Sequence, residues 1–112
     1  MVNKKKLPIL WDRLAKESLD NIYEYILQDS PQNARKVKKE LIKLVSSLND
    51  FPKKYSKEEF LVELTENFRS VSKWSYKVIY EITNEAIIIV DIFHTSQRPS
   101  KISKRIKPPK EL

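Results

Sequence analysis

Residues 68–96 read FRSVSKWSYKVIYEITNEAIIIVDIFHTS, and the spacing of apolar residues in this stretch decides the fold. The period is two, and Val, Ile and aromatic residues dominate, as in strands that pack on a core. Strands are expected over Phe68 to Trp74, Tyr76 to Thr83 and Ala86 to Phe93, with Asn84-Glu85 as the turn between the last two. Ile87-Ile88-Ile89-Val90 is apolar on both faces, so its strand should be the most buried. Trp74, like Trp11, is read as a packing residue.

Upstream the period lengthens to that of helices. Leu14 or Ala15, Leu19, Ile22, Tyr23 and Ile26 form one apolar face, and Asp12 stands at its N-cap. Asp29-Ser30-Pro31 interrupts the pattern; Ser30 should cap a second helix with Pro31 at its first position. Ala34, Val37, Leu41, Leu44, Val45 and Leu48 form the apolar stripe of that helix, and Asn49-Asp50-Phe51-Pro52 ends it. So short a break implies an antiparallel helical hairpin. Leu7 to Trp11 is an expected edge strand, because Pro8 removes a backbone donor. Residues 58–64 fit a helical turn or a strand equally. The predicted class is α+β: an N-terminal strand, then an antiparallel two-helix hairpin packed on a C-terminal antiparallel β-sheet.

The chain has 112 residues, enough for one core, and the expected division is a single domain over 1–99 and a basic, Pro- and Lys-rich tail over 100–112. It contains 22 Lys and Arg against 15 Asp and Glu, a formal charge of +7 that favours phosphate-rich or acidic partners. Charge gathers at the ends: residues 1–13 carry a net +3 and residues 98–112 a net +5. There is no Gly, where average usage would give about eight. Glycine-dependent phosphate loops, the dinucleotide fingerprint and the nucleophile elbow are thereby excluded. With no Cys and a single His, thiol catalysis and the usual metal sites are excluded too, and no cofactor is expected. Lys4-Lys5-Lys6 has no apolar run after it of signal-peptide length, and no stretch approaches the ~20 apolar residues of a membrane span. The expectation is a cytoplasmic protein that does not enter a membrane.

The order of these elements and several signposts resemble the RelE/ParE superfamily of toxins from bacterial type II toxin–antitoxin systems. The signposts are Trp11, Ala15…Leu19…Ile22-Tyr23…Tyr25-Ile26, Ser30-Pro31…Ala34, Leu48…Phe51-Pro52, Phe68-Arg69, Ser75-Tyr76-Lys77-Val78-Ile79-Tyr80 and Ile92-Phe93-His94-Thr95-Ser96. The resemblance runs from about Leu7 to Pro99 and is more specific for fold than for activity. It implies a cognate antitoxin as partner, with a toxin–antitoxin hetero-oligomer possible. It also implies one of two targets: RelE-like toxins cut messenger RNA in the ribosomal A site, and ParE-like toxins poison DNA gyrase.

Metal-free RNA cleavage requires removal of the 2′-hydroxyl proton, stabilisation of the phosphate and protonation of the leaving oxygen. Arg69 and Lys77 are the candidate phosphate cations, although Lys77 stands where the family pattern usually has Arg and lacks the bidentate fork. His94 is the candidate proton-transfer group, with Asp91 or Glu81 to orient it, and Arg98 could reach the same phosphate. Glu58 and Glu59 lie near the place of a glutamate base in one nuclease branch. Tyr80, three residues from Lys77, should face the other side and pack in the core or at a dimer contact. The leading expectation is ribosome-dependent mRNA cleavage by Arg69, Lys77 and His94. The alternative is gyrase inhibition through a helix bearing Lys36, Lys39 and Lys43, and a third reading is a non-catalytic basic module that binds RNA or protein.

Overall fold

The computed structural model describes residues 6–52, 55 and 67–96. The chain runs β1 (Ile9–Trp11), α1 (Arg13–Leu27), α2 (Pro31–Ser46), β2 (Phe68–Lys73), β3 (Tyr76–Ile82) and β4 (Ile87–His94). Every element read from periodicity is present and the class is α+β. The ambiguous stretch 58–64 and the tail lie outside the described residues.

The sheet order is β1-β4-β3-β2. The three C-terminal strands form the antiparallel meander that the sequence predicts, while β1 joins as a parallel edge strand, with Ile9 opposite Ile87 and Trp11 opposite Ile89. Helices α1 and α2 therefore form the crossover that carries the chain from β1 to the other side of the sheet. β4 is central, which is why Ile87 and Ile89 are fully buried.

Caps set the helix starts. Ser30 is the N-cap of α2, its Oγ accepting from the Asn33 N–H at 3.1 Å, and Pro31 follows it. Asp12 occupies the N-cap position of α1, but its side chain makes no capping bond. Its backbone is used instead: the N–H donates to the Ile89 carbonyl oxygen at 3.0 Å and the carbonyl accepts from the Lys16 N–H, so the residue ties β1 to β4 and starts α1. The Thr83–Ala86 turn closes through Thr83, whose Oγ1 accepts from the Ala86 N–H at 2.9 Å and donates to its carbonyl at 2.8 Å.

The core lies between the hairpin and one face of the sheet: Ala15 and Leu19 of α1, Leu41 and Val45 of α2, and Val71, Val78, Tyr80, Ile87, Ile89 and Ile92 beneath them. Alternation along β3 sends Tyr76, Val78 and Tyr80 to this face and Lys77 and Ile79 to the other. Tyr80 and Lys77 thus face opposite sides, as the sequence implies. The second face is also apolar, with Phe68, Ile79 and Phe93 buried. A bulge interrupts the β3–β4 ladder: Ile79 pairs with Asp91 and the next residue, Tyr80, with Ile89, leaving Val90 as the extra residue. The bulge lets both Asp91 and Ile92 serve the helical side. The Ser18 hydroxyl of α1 donates to the buried Asp91 carboxylate at 2.5 Å, and Ile92 lies in the core.

Trp74 departs from the reading as a packing residue. The Lys73–Tyr76 pair closes a two-residue loop of Trp74 and Ser75, and Trp74 has φ +54°, the one positive φ among the described residues. Two-residue hairpins require mirror-image turns, and a single positive φ at the first central position calls for Gly. A Trp there costs about 1–2 kcal/mol. Its ring is 53% exposed at the hairpin tip rather than packed, whereas Trp11 packs against the core.

Candidate functional site

Register decides which candidate residues can meet. Arg69 lies opposite Tyr80, Lys77 opposite Phe93, and His94 opposite Tyr76. Arg69 and His94 are therefore offset by four residues along β3, about 13 Å. Lys77 projects from the face opposite Arg69 and Tyr76. The three residues expected to surround one phosphate do not converge.

Arg69 is committed to the interior. Its guanidinium donates from NH1 to the Tyr55 carbonyl oxygen at 2.8 Å, and its Nε is buried with no hydrogen-bond partner among the described residues. Tyr80 beside it donates its hydroxyl proton to the Pro52 carbonyl oxygen at 2.8 Å. Burial pushes the Tyr80 phenol up to about 12; the Arg69 cation offsets part of that rise, and Tyr55 adds to it. Together these groups fix the chain at Pro52 and Tyr55 against the start of β2. Arg69 was expected as a phosphate clamp or an exposed strand-end residue; in the structure it is half-buried, with NH1 bonded to the Tyr55 carbonyl oxygen.

His94 is exposed at the end of β4. Its Nδ1 accepts from the Ser96 N–H at 3.1 Å and lies 2.8 Å from the Ser96 hydroxyl, which leaves Nε2 to carry the proton of the neutral ring. Ser96 therefore orients the imidazole. Asp91 serves Ser18 and the Ile92 N–H instead, and Glu81 lies far along β3, opposite Ile88, where burial raises its pKa. The ring meets Tyr76 edge to face, centroids 5.5 Å apart. An open groove of about 660 Å³ runs from here along α1, lined among others by Glu17, Asn21, Tyr25, Tyr76, His94 and Ser96. Tyr25 is 71% exposed at its rim, and the Tyr76 phenol is raised by burial first and by Tyr25 second. The hydroxyls and imidazole in the groove can form hydrogen bonds, and no Lys or Arg is among the described residues that line it. No group of His, Asp and Glu among the described residues is placed to hold a metal ion.

Lys36, Lys39 and Lys43 are exposed on α2 and form a basic face beside the half-buried Glu40. Spacing at i, i+4 and i+7 puts Lys36, Glu40 and Lys43 on one stripe. Lys38, by contrast, lies over the Tyr23 ring at 5.0 Å and joins the two helices. Arg98, Glu58 and Glu59 lie outside the described residues.

The family model described as "ParE toxin of type II toxin-antitoxin system, parDE" matches residues 9–99. The chain belongs to the ParE toxin family. Among solved structures, a chain of the chromosomal ParDE system from P. aeruginosa has the same fold. The TM-score is 0.66 at 18% identity, over 80% of this chain and 96% of that one. None of the curated proteins matches the sequence. As a ParE-family toxin, the chain is one half of a toxin–antitoxin system and has an antitoxin as its partner. No helix among the described residues is long and apolar enough to cross a membrane.

Proposed function

We propose that this ParE-family toxin arrests growth by docking on DNA gyrase, without catalysing a reaction of its own. The observation that carries this reading is the inward fixation of Arg69, on the face of the sheet opposite Lys77 and about 13 Å along the strand from His94. A phosphate in contact with one of these groups is out of reach of the other two, so these three residues do not together supply the charge stabilisation and proton transfer that RNA cleavage demands. A gyrase inhibitor needs only a complementary surface, and the Lys36, Lys39 and Lys43 face of α2 offers one with a strong positive charge. The family match supports the same choice, since gyrase poisoning is the activity that the resemblance to ParE implies.

The test pairs two assays on the same purified protein. Inhibition of gyrase supercoiling that persists in His94→Ala, with no cutting of a defined mRNA on programmed ribosomes, is the expected result. Cuts in the A-site codon that vanish in His94→Ala would overturn the reading in favour of ribosome-dependent cleavage.

A further inference from the structure

The left-handed backbone at Trp74 is unfavourable for a Trp, and the residue gains little burial in return, standing 53% exposed. What surrounds it gives it a use. The Lys73 ammonium lies over the indole, 5.1 Å from the ring centroid, and also 3.8 Å from the Glu40 carboxylate of α2. This chain of contacts brings the hairpin tip against the stripe on which Glu40 is flanked by Lys36 and Lys43. A hydrogen bond of 2.8 Å from the Thr95 N–H to the Ser75 carbonyl oxygen fixes the tip from its other side. The indole is therefore a presented group held next to a row of cations.

We propose that Trp74 and the lysines flanking Glu40 on α2 form one docking surface, which takes an acidic face of the toxin's protein target with the indole as apolar anchor. The proposal rests on the reading that the toxin acts by docking on a protein. An exposed Trp with one cation on its ring and others on the adjoining helix has the composition of an interface hot spot, where a rigid aromatic fills a recess and charge selects the partner. A nucleic-acid strand suits the surface less well. One indole face is already covered by Lys73, and no ring pair that includes Trp74 is found among the described residues, whereas successive bases use a series of aromatic platforms.

The test measures growth on induced expression without antitoxin, and the urea midpoint of each purified protein. Trp74→Gly, which suits the left-handed backbone, should keep or raise the midpoint and abolish growth arrest, since losing a hot spot weakens binding roughly thirtyfold or more. Trp74→Phe should retain partial arrest, and Lys36→Glu with Lys43→Glu should lose it at an unchanged midpoint. Arrest by Trp74→Gly equal to that of the wild type would overturn the proposal, as would a wild-type chain with no effect on growth. A lowered midpoint in Trp74→Gly would overturn it as well, because the ring would then be holding the hairpin together. Capture of the proteins on immobilised gyrase separates the two readings. If Trp74→Gly loses both arrest and capture, gyrase is the acidic partner. If it loses arrest but even the wild type is not captured, the surface stands and the gyrase reading falls. Binding of a fluorescein-labelled single-stranded oligonucleotide that disappears in Trp74→Gly would make the indole a base-stacking platform and overturn the protein partner.

Discussion

Arg69 and Tyr80 stand opposite each other in the β2–β3 ladder, on the face that packs beneath the helices. Each reaches past the sheet to a backbone carbonyl, Arg69 to Tyr55 and Tyr80 to Pro52, so a cation and a phenol together hold the chain at these two residues. This pairing gives an arginine expected at a phosphate a structural contact instead.

Replacing Arg69 with Met should therefore change stability and leave activity alone. The lost bond is worth about 1.5–3 kcal/mol, offset in part because the substitution also removes a buried Nε that has no partner among the described residues. A net loss of about 1 kcal/mol in unfolding free energy, read from the fall in the urea midpoint, is expected, with growth arrest intact at low temperature. Arrest abolished at unchanged stability would show that Arg69 touches the target.

The buried Tyr80 phenol makes the fold sensitive to alkali. Its pKa is raised to about 12 in the folded state from an unfolded value of 10.0. The unfolded chain thus releases this proton first, and the stabilisation is complete below pH 10 and lost as pH climbs towards 12. The two pH units correspond to roughly 2–3 kcal/mol. Denaturation curves taken through this range should fall more steeply for the wild type than for Tyr80→Phe. Parallel curves would mean that the phenol is not protected.

Ser18 and Asp91 join α1 to the bulge of β4. Ser18→Ala leaves a buried carboxylate short of one donor, which should cost about 1–3 kcal/mol. Calorimetric melting of the variant checks this, and a melting temperature equal to that of the wild type would show that water or another group replaces the hydroxyl.

The two helix starts make a matched comparison. Ser30→Ala removes a cap whose bond is made and should cost about 1 kcal/mol, whereas Asp12→Ala removes a side chain that makes no such bond and should cost much less. Equal losses in the two urea midpoints would contradict the assignment.

The helices, their breaks and the three C-terminal strands were legible because they depend on local chemistry. Ser30-Pro31 caps and opens a helix wherever it occurs, and the period-two stretch from Phe68 to Phe93 can bury one face only as strands. The bulge at Val90 was not legible, since a run apolar on both faces carries no alternation to be broken. The turn at Trp74 was not legible either: Val, Ile and aromatic content carries the expected strand through Trp74 and leaves only Ser75 before the next, whereas the Lys73–Tyr76 pair makes Trp74 a turn residue, and in a chain without Gly a larger residue adopts the positive φ.

From its sequence alone this protein is an α+β chain with the residue pattern of a RelE/ParE toxin, because capping, periodicity and glycine content act over a few residues. Only the tertiary structure decided that β1 lies parallel to β4, that Arg69 turns inward while Lys77 faces away, that Ser96 rather than a carboxylate orients His94, and that Trp74 stands out beside α2. These are consequences of register and strand order, and both are set by which apolar faces meet across the whole chain.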